Sequence, residues 1–523
     1  YLHFMISSIK LNNIYDTVII GSGSAGSILA NRLSNDPTRN ILLIEAGNDY
    51  SNFDSIPKNI YYGDGTVVNP SQSGNDPHDW SYDAESTKNG PQIKIPRGKV
   101  MGGSSSINAQ ILLRGIREDY DRWAEFGNEK WSFDQVLPYF MKLENDLDFP
   151  DDSYHGDRGY IKVNRVPKKD WDSLHRAFYE SCIDNGFPDC PDHNKPDSTG
   201  VGALAFNQID GVRQSTAITY LNDARFRPNL NIKSNSYVRK IIFNNNKAVG
   251  IMVESENKSH EIFCSDIIIS AGAIESPKLL LNSGVGSPEK FIHHGIEPVL
   301  DLPGVGMNLR DHPMVFISWK PKDDYIEPKS IISRVSMALR YTSKNSNWKN
   351  DMIVYMNSST KTYNNPQNPE GITANLTLNL EESSGEISLN DDDHNLYPKL
   401  AYNYLDTEND INRMVEGVHI LDELGKHVSF QNYASEMIHP NTTIRNNDVL
   451  LQQWLQKKIV TGHHSSGTCK MGNDSMSVVD QTGSVIGLEN LKIVDASIMP
   501  DCIRANTNAT VMLIAERIID LWK

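Results

Sequence analysis

The chain has 523 residues and a formal charge of −16 at pH 7, since 50 Lys and Arg stand against 66 Asp and Glu. With 38% hydrophobic and 22% charged residues, its composition is that of a globular protein and excludes disordered and collagen-like classes. The acidic balance argues against a nucleic-acid partner, because binding a phosphate backbone requires a basic surface.

Cysteine usage and hydropathy narrow the class further. The five cysteines are scattered and no CxxC or HExxH spacing occurs, so we expect neither a disulfide framework nor a bound metal. No apolar run is long enough to cross a bilayer, and no signal-peptide pattern is seen. These features predict a soluble, intracellular protein without a membrane span.

The first organised segment predicts a nucleotide-binding unit. A predicted strand, Tyr15–Ile20, is followed by a glycine-rich turn at 21–26 and by helical spacing over 27–33. A second apolar run, Ile41–Ile44, ends in Glu45. The order of strand, glycine turn, helix, strand and acid is typical of a βαβ unit that binds a dinucleotide.

The three glycines of this turn have distinct expected roles. Gly21 permits the tight turn, Gly23 lets the backbone approach a pyrophosphate, and Gly26 lets helix and strand pack closely. The helix N-terminus then faces the phosphates. Glu45, 19 residues after Gly26, is expected to accept hydrogen bonds from a ribose.

The remaining elements are predicted more coarsely. In chain order they are a long loop over 48–92, a mainly helical stretch over 122–144, a loop over 150–157, a hairpin of 238–243 with 248–253, a strand over 262–270, an antiparallel sheet within 311–450 that includes 372–380, and a helix over 414–425.

A second glycine-rich segment, at 96–108, contains the run Gly102-Gly103-Ser104-Ser105-Ser106 between apolar residues. With this segment the sequence resembles the glucose–methanol–choline (GMC) family of FAD-dependent oxidoreductases. The motifs that carry the resemblance are 96–108, 111–115, 119–123, 127–131, 154–156, 211–217, 272–281 and 302–312. It covers nearly the whole chain and is thinnest over 313–450.

The resemblance implies an α/β fold, α+β overall, with two domains. We expect a Rossmann-like FAD-binding domain, discontinuous in sequence, over 12–310 and 460–523, with a possible excursion into the second domain near 150–200. We expect a substrate domain over 311–459, built on an antiparallel sheet with flanking helices.

The resemblance and the glycine turn together predict the cofactor site. The residues expected to bind FAD are Gly21, Gly23, Ser24, Ala25, Gly26, Glu45, Ala46, Arg97, Gly102, Gly103, Ser104, Asn108, Ala109, Val238, Asp495, Ala496, Asn508, Ala509 and Thr510. Some family members attach FAD covalently through a histidine beside the motif asparagine. That position is Ile107 here, so we expect FAD to be bound without a covalent bond.

The segment 461–472 contains the candidate base. Oxidising an alcohol requires a base for the hydroxyl proton, and a neutral histidine suits this role. Two histidines are adjacent, and neighbours in an extended segment point to opposite faces, so we expect only one to face the flavin. The family's offset from Gly467 and Thr468 selects His464, and His463 is then expected to be a packing residue.

Two asparagines near the end of the chain are also singled out. The family's second active-site position falls on Asn506, whose amide can donate a hydrogen bond to the developing alkoxide. For Asn508, the preferred interpretation is that it is the N-cap of a helix over 509–521. Cys469 and Cys502 are expected as buried fillers, and His312 as part of a turn.

The predicted function is FAD-dependent oxidation of a primary alcohol, polyol or sugar hydroxyl. His464 is the expected base and Asn506 the hydrogen-bond donor. The electron acceptor, oxygen or another oxidant, stays open. Two alternatives are an FAD-containing hydroxynitrile lyase and a redox-inactive FAD-bound structural protein.

Overall fold

A computed structural model describes residues 15–62, 76–328, 335–344, 346–360, 370–393 and 397–523. The fold is α/β, with two large sheets that have separate hydrophobic cores. Part of the loop predicted over 48–92, residues 63–75, lies outside the described residues. No helix in the described ranges is long and apolar enough to cross a bilayer.

The first sheet has a parallel centre. Its strands run in the order Leu230–Lys233, Ile41–Ile44, Tyr15–Ile20, Lys258–Ile269, Lys247–Ser255 and Tyr237–Asn244, and Leu491–Ile493 also pairs with Lys258–Ile269. Ile20 aligns with Ile44 on one side and with Ile269 on the other. The strand Ile41–Ile44 is apolar and buried along its whole length, as is typical of a central strand in a parallel sheet.

Two helices from opposite ends of the chain pack together beside this sheet, Ser24–Leu33 and Thr507–Leu521. The Arg32 guanidinium lies 2.6 Å from the fully buried Glu516 carboxylate. Lys142 also contacts this carboxylate, at 2.8 Å. Two cations therefore compensate a charge that would be costly to bury alone.

The second sheet is antiparallel. Its strands run in the order Ala434–His439, Pro313–Pro321, Ile372–Leu378, Met352–Asn357, Met337–Tyr341 and Gly200–Ala203, and Val460–Thr461 pairs with Pro313–Pro321. The helix Glu408–Gly425 packs against it. The domain boundaries stay a prediction, and Gly200–Ala203 shows that a segment near the expected excursion joins the second sheet.

Smaller elements complete the described structure. The other α-helices are Lys58–Tyr61, Arg117–Glu125, Phe133–Leu143, Ser173–Asp184, Asn222–Ala224, Gly272–Asn282, Val428–Gln431, Thr442–Arg445 and Asp448–Lys458. The other strands are Tyr82–Glu85, Gln92–Ile95, Glu144–Asp146, Ile161–Arg165, Ala205–Phe206, Gln208–Ile209, Val212–Arg213, Glu386–Ser388 and Lys399–Ala401.

Most predicted helices and strands are confirmed, but their first and last residues differ from the prediction. The helical stretch over 122–144 is two helices separated by a short 3₁₀ turn, Glu129–Trp131. The last helix begins at Thr507, so its N-cap is Asn506 and the N-cap expectation for Asn508 is wrong. Asn506 makes no capping hydrogen bond, and its Oδ1 accepts instead from the Tyr355 hydroxyl.

A buried ion network surrounds His155. Its Nδ1 lies 2.7 Å from Glu144, and its Nε2 lies 2.7 Å from Asp192. Burial alone would lower the pKa of His155, but hydrogen bonds to Asp146, Asp192 and Glu144 raise it to about 10. The imidazolium therefore counts as a third cation in the network, which also contains two arginines, Arg114 and Arg165.

We predict that His155→Leu destabilises the fold by about 3–5 kcal/mol at neutral pH, because it leaves three buried carboxylates with two cations instead of three. The pKa of His155 is raised, so its contribution is present at neutral pH and is lost as pH rises through about 10. Thermal unfolding of His155→Leu and of the parent chain between neutral and alkaline pH measures this.

The control is His419→Leu, since His419 is exposed and faces one carboxylate, Asp448, at 3.3 Å. The free energy of unfolding of that variant should lie within about 0.5 kcal/mol of the value for the parent. Equal stabilities for the two variants would contradict the charge-balance argument.

Candidate active site

A cavity of about 280 Å³ opens at the carboxyl ends of the parallel strands. Four segments that follow these strands line it: Gly21 after Ile20, Glu45 after Ile44, Ser270 after Ile269, and Asp495 after Leu491–Ile493. In open α/β sheets, ligands bind at this edge. The sheet therefore brings sequence-distant polar groups to one crevice.

Two backbone segments meet at the glycine turn. A Cβ at Gly103, where φ is +53°, would lie 2.7 Å from the Cα of Gly23, so this contact excludes a side chain. A Cβ at Gly23 would instead have no protein atom nearer than 4.0 Å and would project into open space. This open space beside a helix N-terminus is where a pyrophosphate would approach.

A buried donor without a partner lies at the same place. The Nδ2 of Asn508 has no hydrogen-bond partner among the described residues, while its Oδ1 accepts a bond of 2.6 Å from Ser24 Oγ. Helices Ser24–Leu33 and Thr507–Leu521 both begin at this cavity. A free amide donor and two helix N-termini suit an anionic group, so the residues present fit FAD.

Glu45 is held rigidly at the end of its strand. It accepts hydrogen bonds from the backbone N–H and the hydroxyl of Ser22, at 3.0 and 2.7 Å, and from the Gly47 N–H at 2.9 Å. Burial raises the pKa of Glu45, although these hydrogen bonds act to lower it. The carboxylate lines the cavity, and its contact with a ribose stays a prediction.

Asp495 has a similar environment on the other side of the sheet. It accepts bonds from the Gly272 N–H at 2.9 Å, the Ser276 hydroxyl at 2.6 Å and the Ser497 N–H at 2.8 Å. Burial raises the pKa of Asp495. The carboxylate therefore joins the helix Gly272–Asn282 to the turn at Ser497 beside the cavity.

His464 lies at the far end of the cavity with both ring nitrogens engaged. Its Nε2 is 3.0 Å from Asn506 Nδ2, and its Nδ1 is 2.8 Å from His312 Nδ1. Tyr355 donates to the Oδ1 of Asn506 at 3.3 Å, which leaves the Nδ2 amide to donate to His464. Burial, then the neighbouring His312, lowers the pKa of His464 well below its usual value.

The hydrogen bonds assign the proton positions on this pair. His312 Nε2 lies 2.8 Å from the carbonyl oxygen of Ile503, so it must carry a proton. The Nδ1 of His312 is then an acceptor for the Nδ1–H of His464. Consequently the Nε2 of His464 is unprotonated, as a base requires.

Asp311 and Arg97 position the histidine segment. Asp311 accepts the backbone N–H of His464 at 2.7 Å. Arg97 donates to the carbonyl oxygen of His463 at 2.8 Å and to the Ser465 hydroxyl at 2.8 Å.

The alternation argument used to separate the two histidines fails, and which of them faces the flavin stays a prediction. His463 and His464 both line the cavity. The φ of His463 is +69°, so the segment is not extended there and the alternation of side chains does not apply. Burial, then Arg97, lowers the pKa of His463 to about 4, and its Nδ1 has no partner among the described residues.

Most residues of the predicted site line this cavity. They are Gly21, Gly23, Ser24, Ala25, Glu45, Ala46, Arg97, Gly103, Ser104, Asn108, Ala109, Val238, His464, Asp495, Ala496, Asn506 and Asn508. The four that do not are Gly26, Gly102, Ala509 and Thr510. Gly26 packs against Gly21, where a Cβ would lie 1.9 Å from the carbonyl oxygen, and Thr510 bonds Tyr120.

The sequence reasoning missed several lining residues. Trp80, Tyr82, Gln110, Tyr237 and Glu275 line the cavity, and both tyrosine hydroxyls donate to the buried Glu275 carboxylate, at 2.8 and 2.7 Å. It also assigned His312 to a turn, although His312 contacts the candidate base. These positions carry no local spacing signal, because their partners are distant in sequence.

Comparisons with known proteins agree on one family. Models of the GMC oxidoreductase N- and C-terminal regions match residues 15–314 and 381–515. The chain is 33% identical to an oxygen-dependent choline dehydrogenase of Staphylococcus xylosus, over 97% of this chain and 94% of that protein. The crystal structure of pyridoxine 4-oxidase from Mesorbium loti superimposes with a TM-score of 0.88 at 28% identity, over 97% and 99% of the two chains. A fungal aryl-alcohol oxidase has the same fold, with a TM-score of 0.83 at 21% identity, over 98% and 100%.

We predict that Gly23→Val yields a folded protein that is largely free of FAD. The added side chain enters the cavity, where no protein atom lies within 4.0 Å of its Cβ, so it obstructs the cofactor rather than the fold. The ratio of flavin to protein absorbance, with circular dichroism of the product, measures both effects. Gly23→Ala is the matched control: its Cβ has no protein atom nearer than 4.0 Å and it lacks the two methyl groups of valine, so this variant should keep more flavin than Gly23→Val. Full FAD occupancy in Gly23→Val would exclude this turn as the phosphate site.

Proposed function

Since this chain belongs to the GMC oxidoreductase family, we propose that His464 and Asn506 carry out its alcohol oxidation. The protein is an FAD-dependent oxidoreductase that acts on CH–OH groups. The observation that supports the residue assignment is the 3.0 Å contact between His464 Nε2 and Asn506 Nδ2 at the cavity wall.

The geometry suits removal of a hydroxyl proton. A substrate hydroxyl that replaces the hydrogen bond between the two side chains donates to the unprotonated Nε2 of His464 and accepts from the Asn506 amide. The bound flavin supplies the acceptor for the hydride that leaves the carbinol carbon. As negative charge develops on the substrate oxygen, the amide N–H stabilises it without competing for the proton.

The low pKa of His464 keeps the imidazole neutral and ready to accept a proton over the neutral range. Tyr355 holds the amide of Asn506 in the orientation that presents its N–H. His312 holds the tautomer that leaves Nε2 bare.

The relatives suggest a substrate class. One named relative acts on choline and another on pyridoxine, and both compounds carry a primary alcohol. We propose that the substrate is a primary alcohol. Polyols and sugars should be tested as substrates beside simple primary alcohols. The acceptor is oxygen or another oxidant.

We propose further that FAD is held without a covalent bond, because Ile107 at the cavity wall has no nucleophilic atom. Acid precipitation should release all the flavin into the supernatant as FAD. Chromatography of the supernatant and the absorbance of the pellet measure this. Yellow colour in the washed pellet would contradict it.

We predict an order of effects on anaerobic flavin reduction by an alcohol. His464→Ala should slow it by roughly 10²–10⁴. Asn506→Ala should slow it by roughly 10²–10³, as expected for one lost hydrogen-bond donor. His463→Ala, the matched control, should retain FAD and have the smallest effect, because both nitrogens of His464 keep their partners. Raising pH should partly rescue His464→Ala, since an ionised alcohol needs no base.

The same experiment separates the alternatives. A hydroxynitrile lyase or a redox-inactive protein would leave the flavin yellow with every alcohol. If His463→Ala abolished reduction while keeping FAD, the assignment of His464 as the base would be wrong.

A further inference from the structure

Behind the catalytic histidine, away from the cavity, lies a buried carboxyl that the mechanism above does not use. Glu381 is 2% exposed, and neither of its carboxyl oxygens has a hydrogen-bond partner among the described residues. Its nearest cation is Arg310, whose Nε lies 3.4 Å from Oε1. A buried carboxyl without hydrogen bonds is costly, so its presence calls for an explanation.

Glu381 is close to the partner of the base. One ligating atom each from Glu381, His312 and Cys502 lie within 4.8 Å of one another. His312 and Cys502 are fully buried, and His312 Nε2 is 2.9 Å from the Cys502 sulfur. The three residues form one buried cluster that touches His464 through His312.

The cluster is unsuited to a metal ion. His312 Nε2 donates its proton to the Ile503 carbonyl, so it presents no lone pair in that direction. The Arg310 guanidinium beside the carboxyl would repel a cation. The donor set is better suited to moving a proton than to binding a metal.

We infer that Glu381 receives, through His312, the proton that His464 removes from the substrate. This inference rests on the proposed function. It adds a destination for the proton, which would otherwise remain as an imidazolium in a site that disfavours charge.

The transfer balances atom by atom. The substrate O–H bond breaks and an N–H bond forms at His464 Nε2. The Nδ1–H of His464 passes to the bare Nδ1 of His312, 2.8 Å away. The Nε2–H of His312 passes to the Cys502 sulfur, 2.9 Å away, as the Cys502 S–H proton passes to a carboxylate oxygen of Glu381 in the same cluster. Both histidines end neutral, Glu381 ends as the acid, and no electrons move in these steps.

The surroundings stabilise both protonation states of Glu381. Burial raises the pKa of Glu381 to about 8, against the attraction of Arg310. The charged and titratable groups that face it are Arg310, Asp501, Asp410, His312 and Cys502. Asp501 already pairs with Arg310 at 2.6 Å and with Arg122 at 3.0 Å, so an ionised Glu381 balances the second arginine.

The pH dependence has a definite sign. The carboxylate is the acceptor and predominates above the pKa of Glu381, so flavin reduction should accelerate as pH rises through about 8. His464 does not produce this rise, because its pKa is well below 6.5.

The test compares anaerobic flavin reduction by one alcohol in the FAD-loaded parent, Glu381→Gln and Glu382→Gln, from about pH 6 to about pH 9.5. Glu382 is exposed and adjacent in sequence, so it is a matched control for the same chemical change. Glu381→Gln should be about tenfold slower than the parent at the alkaline end and should lose the rise near pH 8. Glu382→Gln should follow the parent. Glu381→Asp should keep a pH-dependent rate, but a slower one, because its carboxyl is farther from His312.

A second measurement does not depend on turnover. Infrared difference spectra of the FAD-loaded parent against pH should show a carboxylic acid band that disappears with a midpoint near 8 and is missing from Glu381→Gln. The inference is overturned if the Glu381 band does not change between about pH 6 and about pH 9.5. It is also overturned by a Glu381→Gln profile identical to that of Glu382→Gln while alcohols still bleach the parent flavin. A parent flavin that no alcohol bleaches overturns the proposed function itself, and the relay with it.

Discussion

The parallel strands of the first sheet all end at one edge, and the active site depends on this arrangement. Gly21, Glu45, Ser270 and Asp495 follow four different strands but line one crevice. The hydrogen bonds between the strands fix these positions in register, so each residue is placed by the backbone rather than by its own side chain. The second sheet contributes in turn, since Val460–Thr461 pairs with it immediately before the two histidines.

Buried charge is the second constraint. The protein places several ionised groups out of contact with water, and each has compensating partners, as Glu516 has in Arg32 and Lys142. The His155 network follows the same rule with three carboxylates and three cations. Glu381 departs from it, because its carboxyl has one cation, Arg310 at 3.4 Å, and no hydrogen bond among the described residues. Such departures are more informative about chemistry than the balanced pairs are.

Local spacing accounts for what could be predicted from the sequence. The glycine turn, its flanking strands and Glu45 lie within 31 residues of each other, and short-range rules recover them. The pairing of His464 with His312 joins positions 152 apart in sequence, and no periodicity reports it. The alternation argument failed at His463 because Arg97 and the Thr461 hydroxyl bind its carbonyl oxygen and N–H, and hold φ at +69°. The Arg97 bond joins positions 366 apart in sequence, so the residues around His463 do not reveal it.

The packing of helix Thr507–Leu521 on helix Ser24–Leu33 has a consequence for synthesis of the protein. The strand Leu491–Ile493, Asp495 and Asn508 complete a crevice whose first wall is made from residues 15–45. During translation the nucleotide-binding turn therefore emerges hundreds of residues before the segments that close it. The crevice that would hold FAD can therefore be completed only after residues 491–508 have been synthesised.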